Sequence, residues 1–238
     1  MLKKRKRCYC GVPRRAITVK MIVTEQKPIN EILENIKNEK NIFLIGCGEC
    51  STTCKTGGER ELIQMREKLI ATGKNVTGSI IPKAPCIASQ VIGGLAKYRK
   101  ELDASDAILV MACGLGVQSV KENLRQKKLM HSGCNTLFMS TLDKTGNFLS
   151  EKCSACGNCI LDLTGGICPV TRCPKGLLDG PCGGMNKGKC EVDKDKDCTW
   201  VLIYNELKEQ NKLDAMEKIN KPRDYSKTIK PQVKSLVE

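Results

Sequence analysis

Ala107-Ile108-Leu109-Val110-Met111-Ala112-Cys113-Gly114-Leu115-Gly116 is the stretch that decides the fold. An unbroken apolar run of this length, closed at once by glycines, reads as a strand buried on both faces. Val117, Val120 and Leu124 then repeat at helical spacing, which makes the unit strand, tight turn and crossover helix. The same alternation continues outward in both directions. Upstream, Ile29, Ile32, Leu33 and Ile36 mark a helix, and Asn41-Ile-Phe-Leu-Ile-Gly46 marks a second buried strand. A helix over about 58–71 uses Leu62, Met65, Leu69 and Ile70, and Val76–Ile81 is a third strand. Ile87, Val91, Leu95, Tyr98 and Leu102 give another helix, and Thr136–Met139 is expected to be the last strand. Alternation of this kind predicts a Rossmann-like α/β domain, a parallel sheet covered on both faces.

The cysteines fall on this frame in a pattern. Cys47 follows the Asn41–Gly46 strand directly, with Cys50 and Cys54 in the same loop. Cys86 lies just past Val76–Ile81, and Cys113 directly follows the Ala107–Ala112 strand. All five sit at or beyond the carboxyl ends of parallel strands, the edge where open α/β sheets bind ligands. Cys134 precedes the expected last strand, which puts it on the opposite edge as a structural residue. Gly46, Gly48, Gly57 and Gly58 flank the first cysteine loop, and Gly114 and Gly116 flank Cys113. Backbone free of side chains can turn tightly and direct amide N–H groups at sulfur. Gly114-x-Gly116-x-x-Ser119 is a degenerate dinucleotide fingerprint that lacks its third glycine and an acidic partner.

The chain holds 16 cysteines and one histidine, and soft thiolate with almost no imidazole selects iron–sulfur or all-thiolate zinc. The densest group is Cys153-x-x-Cys156-x-x-Cys159, followed by Cys168-Pro169 and Cys173-Pro174. A third cysteine two residues beyond such a pair is the way iron–sulfur proteins hold several corners of one cubane. Cys182, Cys190 and Cys198 follow at wider spacing. Gly165-Gly166, Gly180-Pro181 and Gly183-Gly184 interrupt this stretch, so metal rather than a conventional core is expected to stabilise it. The resulting domain plan has a basic leader over 1–20 and the Rossmann-like domain over 21–145. A small cysteine-rich, metal-stabilised loop domain covers 146–198, and a C-terminal helix with a polar tail covers 199–238. Trp200, Ile203, Tyr204 and Leu207 are expected on one face of that helix.

Of the +14 net charge, eight charges lie in residues 1–20, which leaves +6 for the remainder. Met21 is therefore expected to be the true start, with the leader an over-translated or tail segment; a basic nucleic-acid-binding arm is the alternative. Cys8 and Cys10 fall in the leader and are set aside from the site. At 3% aromatics a stacking surface for single-stranded nucleic acid is not expected. No run of about 18 apolar residues exists to span a membrane, and no signal peptide precedes the patterned segment. Cysteines kept in a reducing cytoplasm bind metal more readily than they form disulfides.

Three strings carry a resemblance: Ile45-Gly-Cys-Gly-Glu-Cys-Ser-Thr-Thr-Cys54, Ala112-Cys-Gly-Leu-Gly-Val-Gln118, and the run from Glu151 to Pro174 with its five cysteines. Together they resemble the small cysteine-rich subunit of bacterial methylenetetrahydrofolate reductase, the MetV type, over about residues 21–215. The resemblance implies an accessory electron-transfer subunit in one-carbon metabolism, with no catalytic residues of its own. It implies one or two [4Fe–4S] clusters, three at most, and a flavin carried only by a partner catalytic subunit with a (β/α)₈ barrel. An upstream donor protein would supply the electrons. Cys47, Cys50, Cys54, Cys86 and Cys113 form the ligand pool of an N-terminal cluster, with one to spare. Cys153, Cys156, Cys159 and Cys173 are favoured for the C-terminal one, with Cys168 the rival for fourth place. The leftover C-terminal thiolates could close a second cluster or a structural zinc.

Three other readings remain open. A thiol–disulfide enzyme could use Cys47-x-x-Cys50. A zinc-ribbon module would use the paired cysteines and the basic balance. A cluster with an open iron position would make the chain an enzyme in its own right. His131 has no motif around it and is expected at the surface or in a turn. Asp193-Lys-Asp-Lys-Asp197 reads as a solvated loop.

Overall fold

The computed structural model describes residues 21–236. The basic leader, with Cys8, Cys10 and the expected start at Met21, falls outside the described residues except for Met21 itself. The chain divides into two compact units. The first comprises Glu25–Asn135 and the second Met21–Thr24 with Thr136 onward. Strand β1 (Ile22–Gln26) spans the division at its amino end.

In the first unit, α1 (Ile29–Asn35) leads into β2 (Asn41–Ile45), then α2 (Cys50–Thr53) and α3 (Glu59–Ala71). Next come β3 (Asn75–Ile80), α4 (Ala88–Leu95), a 3₁₀ turn Ala96–Tyr98 and α5 (Arg99–Asp103). The unit closes with β4 (Ala107–Val110), α6 (Gly114–Asn123) and β5 (Leu129–Ser132). The sheet order is β3-β2-β4-β5, and every pair is parallel. Register sets Ile45 against both Ile80 and Val110, and Val110 against Ser132, so all four strands end at one edge.

The topology follows from right-handed crossovers. From β2 to β3 the chain steps outward one way; from β3 to β4 it returns past β2 and then continues to β5. Reversal of direction puts the connecting helices on opposite faces. On one face α1 and α3 cover Ile42, Leu44, Ala107 and Leu109 with Ile32, Ile36, Leu62, Met65 and Leu69. On the other, Val91, Leu95, Leu102 and Val120 cover Phe43, Ile45, Ile108 and Val110. Both faces of β2 and β4 are thus fully buried, and burial of each large aliphatic side chain is worth about 1.5–3 kcal/mol.

Helix α3 starts where Glu61 accepts a hydrogen bond from the Gly58 N–H at 3.0 Å. Glu59 and Glu61 sit in its first turn and Lys68 in its last, each charge opposing the helix dipole. At the amino ends of the strands Asp106 Oδ2 accepts the backbone N–H groups of Asn41 at 2.7 Å and Lys40 at 2.9 Å. Those bonds hold the Asp106 carboxyl below the usual range.

One expected element is corrected. The fourth parallel strand is β5, not Thr136–Met139. Residues 136–139 belong to β6 (Cys134–Leu142), which leaves the parallel sheet and pairs antiparallel with β7 (Leu149–Cys153). The change of unit therefore falls between Asn135 and Thr136, where the sequence had placed it near 145.

In the second unit the sheet order is β1-β6-β7. Beyond Cys153 the regular elements are a 3₁₀ turn Leu161–Leu163, α7 (Pro169–Arg172), α8 (Thr199–Glu209), α9 (Asp214–Glu217) and a 3₁₀ turn Tyr225–Thr228. Trp200, Ile203 and Leu207 of α8 are buried with Cys198, and Ile167, Cys173, Leu177, Leu213 and Met216 pack against them. Tyr204, expected on the same face, is 43% exposed, because it stands one residue, about 100°, round the helix from Ile203. No helix among the described residues is long and apolar enough to cross a membrane.

Candidate functional site

The carboxyl edge of the parallel sheet collects the first group of cysteines. Cys47 lies two residues past β2, and its N–H donates to Gly57 O at 2.9 Å. Cys50 opens α2 and Cys54 follows it, with the Cys54 N–H donating to Cys50 O at 2.9 Å. Cys86 lies in the loop between β3 and α4, and Cys113 is the N-cap of α6 beyond β4. Cys47, Cys50 and Cys113 are buried, Cys54 is half-buried and Cys86 is exposed.

Close approach of these loops depends on glycine. A Cβ on Gly57 would lie 1.8 Å from Met111 O, and one on Gly46 would lie 2.5 Å from Gly57 O. One on Gly116 would meet Ala112 Cβ and Pro85 Cγ at 3.1 Å. The loops after β2, β3 and β4 are thus tied together, by these contacts and by Gly48 N–H donating to Pro82 O at 2.9 Å. Burial pushes the Cys113 thiol up, opposed by the N–H groups of Gly116 and Leu115 at the start of α6. The nearby charges of Cys47 and Cys86 add to the rise, so both lie within electrostatic reach of Cys113.

Cys134 requires a correction. Because β5 is the fourth parallel strand, Cys134 follows a carboxyl end and lies on the same edge as the others, not the opposite one. It is buried, its Sγ donates to Thr56 O at 3.6 Å, and burial pushes its thiol up to about 12. It also feels the charges of Cys113, Cys54 and Cys47. Gly133 was the available signal: a Cβ there would lie 2.2 Å from Met111 Sδ, so the glycine marks a close approach just past a strand end. His131, expected at the surface or in a turn, lies within β5, and its Nε2 is buried with no hydrogen-bond partner among the described residues.

In the second unit Cys153 ends β7, and its Sγ accepts the Ala155 N–H at 3.3 Å. Ala155 and Gly157 both take left-handed φ, 52° and 74°, which turns the chain sharply between Cys153, Cys156 and Cys159. Burial would raise the Cys156 thiol, but the Asn158 N–H, the Arg223 guanidinium and Ser154 outweigh it and hold it below its ordinary value. Cys168 and Cys173 are the N-cap and C-cap of α7, which packs against β7 with Thr171 Oγ1 donating to Lys152 O at 3.3 Å. Cys173 also shares the wall of a small cavity with Cys182, Cys190 and Cys198. A larger cavity of about 800 Å³ lies beside Cys159, Trp200 and Arg223.

No disulfide forms among the described cysteines. Among the described residues no three Cys, His, Asp or Glu side chains converge on one point as they stand. The donors at the carboxyl edge are all thiols, and the N–H groups of Leu115 and Gly116 are directed at the Cys113 sulfur.

Residues 131–226 match the family described as Methylene-tetrahydrofolate reductase C terminal. That match covers the carboxyl-terminal part of the chain. The matched stretch begins in β5 and takes in Cys134 and every cysteine from Cys153 to Cys198, while the cysteines from Cys47 to Cys113 lie before it. No curated protein and no solved structure matches the chain.

Proposed function

We propose that this chain is an accessory iron–sulfur subunit that relays electrons to or from the flavin of a separate catalytic methylenetetrahydrofolate reductase subunit. The observation that carries the reading is the gathering of Cys47, Cys50, Cys54, Cys86 and Cys113 at the carboxyl edge of the parallel sheet. Cys47 and Cys113 follow β2 and β4, the two strands between which the order reverses. That crevice is where open α/β sheets place ligands. The family match supplies the folate context. The parallel sheet has four strands among the described residues, whereas a (β/α)₈ barrel has eight, so the folate chemistry is assigned to the partner.

A cluster bound at either group of cysteines would supply one-electron transfer. The protein's own contribution is to hold and enclose it. Cys47, Cys50 and Cys113 offer buried thiolates, Cys54 and Cys86 complete the pool, and the N–H groups of Leu115 and Gly116 stabilise negative sulfur. In the second unit Cys153, Cys156 and Cys159 are the ligands, with Cys168 or Cys173 at one end of α7 as the fourth. Arg223 and the Asn158 N–H favour the Cys156 thiolate. Burial of Cys47 and Cys50 counts against thiol–disulfide exchange there, which needs an accessible low-pKa sulfur.

Anaerobic purification with iron and sulfide analysis, and EPR after dithionite reduction, tests the reading. About four to eight irons per chain with matching sulfide are expected, four for each cubane. Cys156→Ser is expected to lower the iron content and uncouple flavin reduction while the first unit stays folded. Zinc without iron would overturn the relay.

A further inference from the structure

We propose a second, separate metal site in the second unit: one zinc ion held by Cys173, Cys182, Cys190 and Cys198. The four cysteines line a single cavity together with Leu177, Met185, Trp200 and the ion-paired Lys175 and Glu191. Its volume is about 20 Å³, the room taken by about one water-sized sphere. A space of that size suits a single ion bonded directly to the surrounding sulfurs. Four sulfurs with no imidazole make the tetrahedral all-thiolate shell that zinc takes in structural sites.

The chain around the cavity needs such a centre. Between α7 and α8 the pairing is limited to the isolated bridges Asn186–Lys189 and Lys189–Asp197. Gly176, Gly180, Gly183, Lys187 and Gly188 all take left-handed φ, so the backbone reverses repeatedly. Two hydrogen bonds fix the last thiols: Cys190 N–H donates to Lys196 O at 2.9 Å, and Cys198 N–H to Gly188 O at 2.8 Å. Cys198 and Cys173 also belong to the small apolar core under α8. An ion cross-linking four points of this stretch would supply folding energy that so few apolar contacts cannot. The thiols do not meet at one point as they stand, and zinc binding requires their side chains to rotate toward the shared cavity. Cys173 is then committed here, which leaves Cys168 as the fourth partner of Cys153, Cys156 and Cys159.

Zinc and iron analysis and zinc-edge X-ray absorption on the full-length protein test this directly. One zinc per chain is expected, with four sulfurs at about 2.3 Å. Cys182→Ser and Cys190→Ser are expected to lose the zinc, and Cys159→Ser to keep it, with Trp200 fluorescence reporting whether each variant folds. Absence of zinc, a shell containing nitrogen or oxygen, or full zinc in both folded Cys182→Ser and Cys190→Ser would overturn the site. The absorption spectrum needs no variant, so a misfolded mutant does not remove the test. Zinc without iron would defeat the relay alone; iron without zinc would defeat this site alone.

Discussion

Gly57→Ala puts the packing of the cysteine loops to a quantitative test. The added methyl carbon would lie 1.8 Å from Met111 O and 2.8 Å from Met111 C, where ordinary contact begins near 3.4 Å. Both obstacles are backbone atoms on the segment that joins β4 to Cys113, so no side chain can swing aside. Overpacking of this kind costs about 1–3 kcal/mol, and a rigid backbone obstacle places it at the upper end. The displaced loop also strains the bond from Cys47 N–H to Gly57 O, worth about 1 kcal/mol. A loss of about 3–4 kcal/mol is expected, which lowers the melting temperature of a chain this size by roughly 6–16 °C. Gly93→Ala is the control. No atom lies within 4 Å of its added carbon, and alanine inside α4 should stabilise by about 0.5–1 kcal/mol. The assay is urea and thermal unfolding followed by far-UV circular dichroism at equal metal content. Fluorescence of Trp200, the sole tryptophan, reads the other unit separately. If Gly57→Ala melts with the wild type, or Gly93→Ala loses as much as Gly57→Ala, the glycine-cradle argument is refuted.

Three further outcomes are expected. Asp143 accepts the Thr145 hydroxyl and the Phe148 and Asn147 N–H groups in the β6–β7 turn, which lowers its carboxyl to about 2. A depressed carboxyl stabilises the fold fully above its unfolded value of 3.8 and loses that contribution as pH falls through the folded one. Carboxyl NMR of Asp143 should therefore titrate near 2, and an ordinary midpoint would contradict the hydrogen bonds. At Cys134 the rise from 9.0 to about 12 leaves roughly a thousandth of the usual thiolate, so iodoacetamide should label it about that much more slowly in folded protein than in urea. Equal rates in the two conditions would show that it is not buried. Trp200→Ala removes a side chain that is 6% exposed and bonded through Nε1 to Leu177 O at 3.2 Å. It should destabilise the second unit by about 3–5 kcal/mol, and urea unfolding unchanged to within 1 kcal/mol would place the core of that unit elsewhere.

The parts of the fold that could be read in advance are those with one dominant physical signal. Ile42–Ile45 and Ala107–Val110 are buried on both faces, so their unbroken apolar runs have no helical explanation of the right length. Leu62, Met65 and Leu69 recur at helical spacing because a single face of α3 meets the sheet. With these placed, the carboxyl-edge position of Cys47 and Cys113 followed from strand direction alone. The reading broke at β5. Leu129-Met130-His131-Ser132 is a short edge strand with no fully buried residue, so it shows neither an apolar run nor clean alternation. The stronger pattern at 136–139 drew the strand assignment past it, and one misplaced strand end moved Cys134 to the wrong edge.

The zinc site proposed above divides the C-terminal cysteines differently from sequence spacing. Sequence spacing favours neighbours, and it joined Cys173 to the triplet from Cys153 to Cys159. In space Cys173 lines a cavity with cysteines up to twenty-five positions later, because α7 is only one turn long and presents Cys168 and Cys173 at opposite ends. A single-turn helix between two cysteines acts as a divider: one cap can serve the centre before it and the other the centre after it. Lengthening α7 by one residue between Thr171 and Arg172 would rotate Cys173 by about 100° away from Cys198. Zinc retention should fall while iron bound through Cys153, Cys156, Cys159 and Cys168 is kept. Loss of iron with zinc retained would reverse the assignment of the two caps.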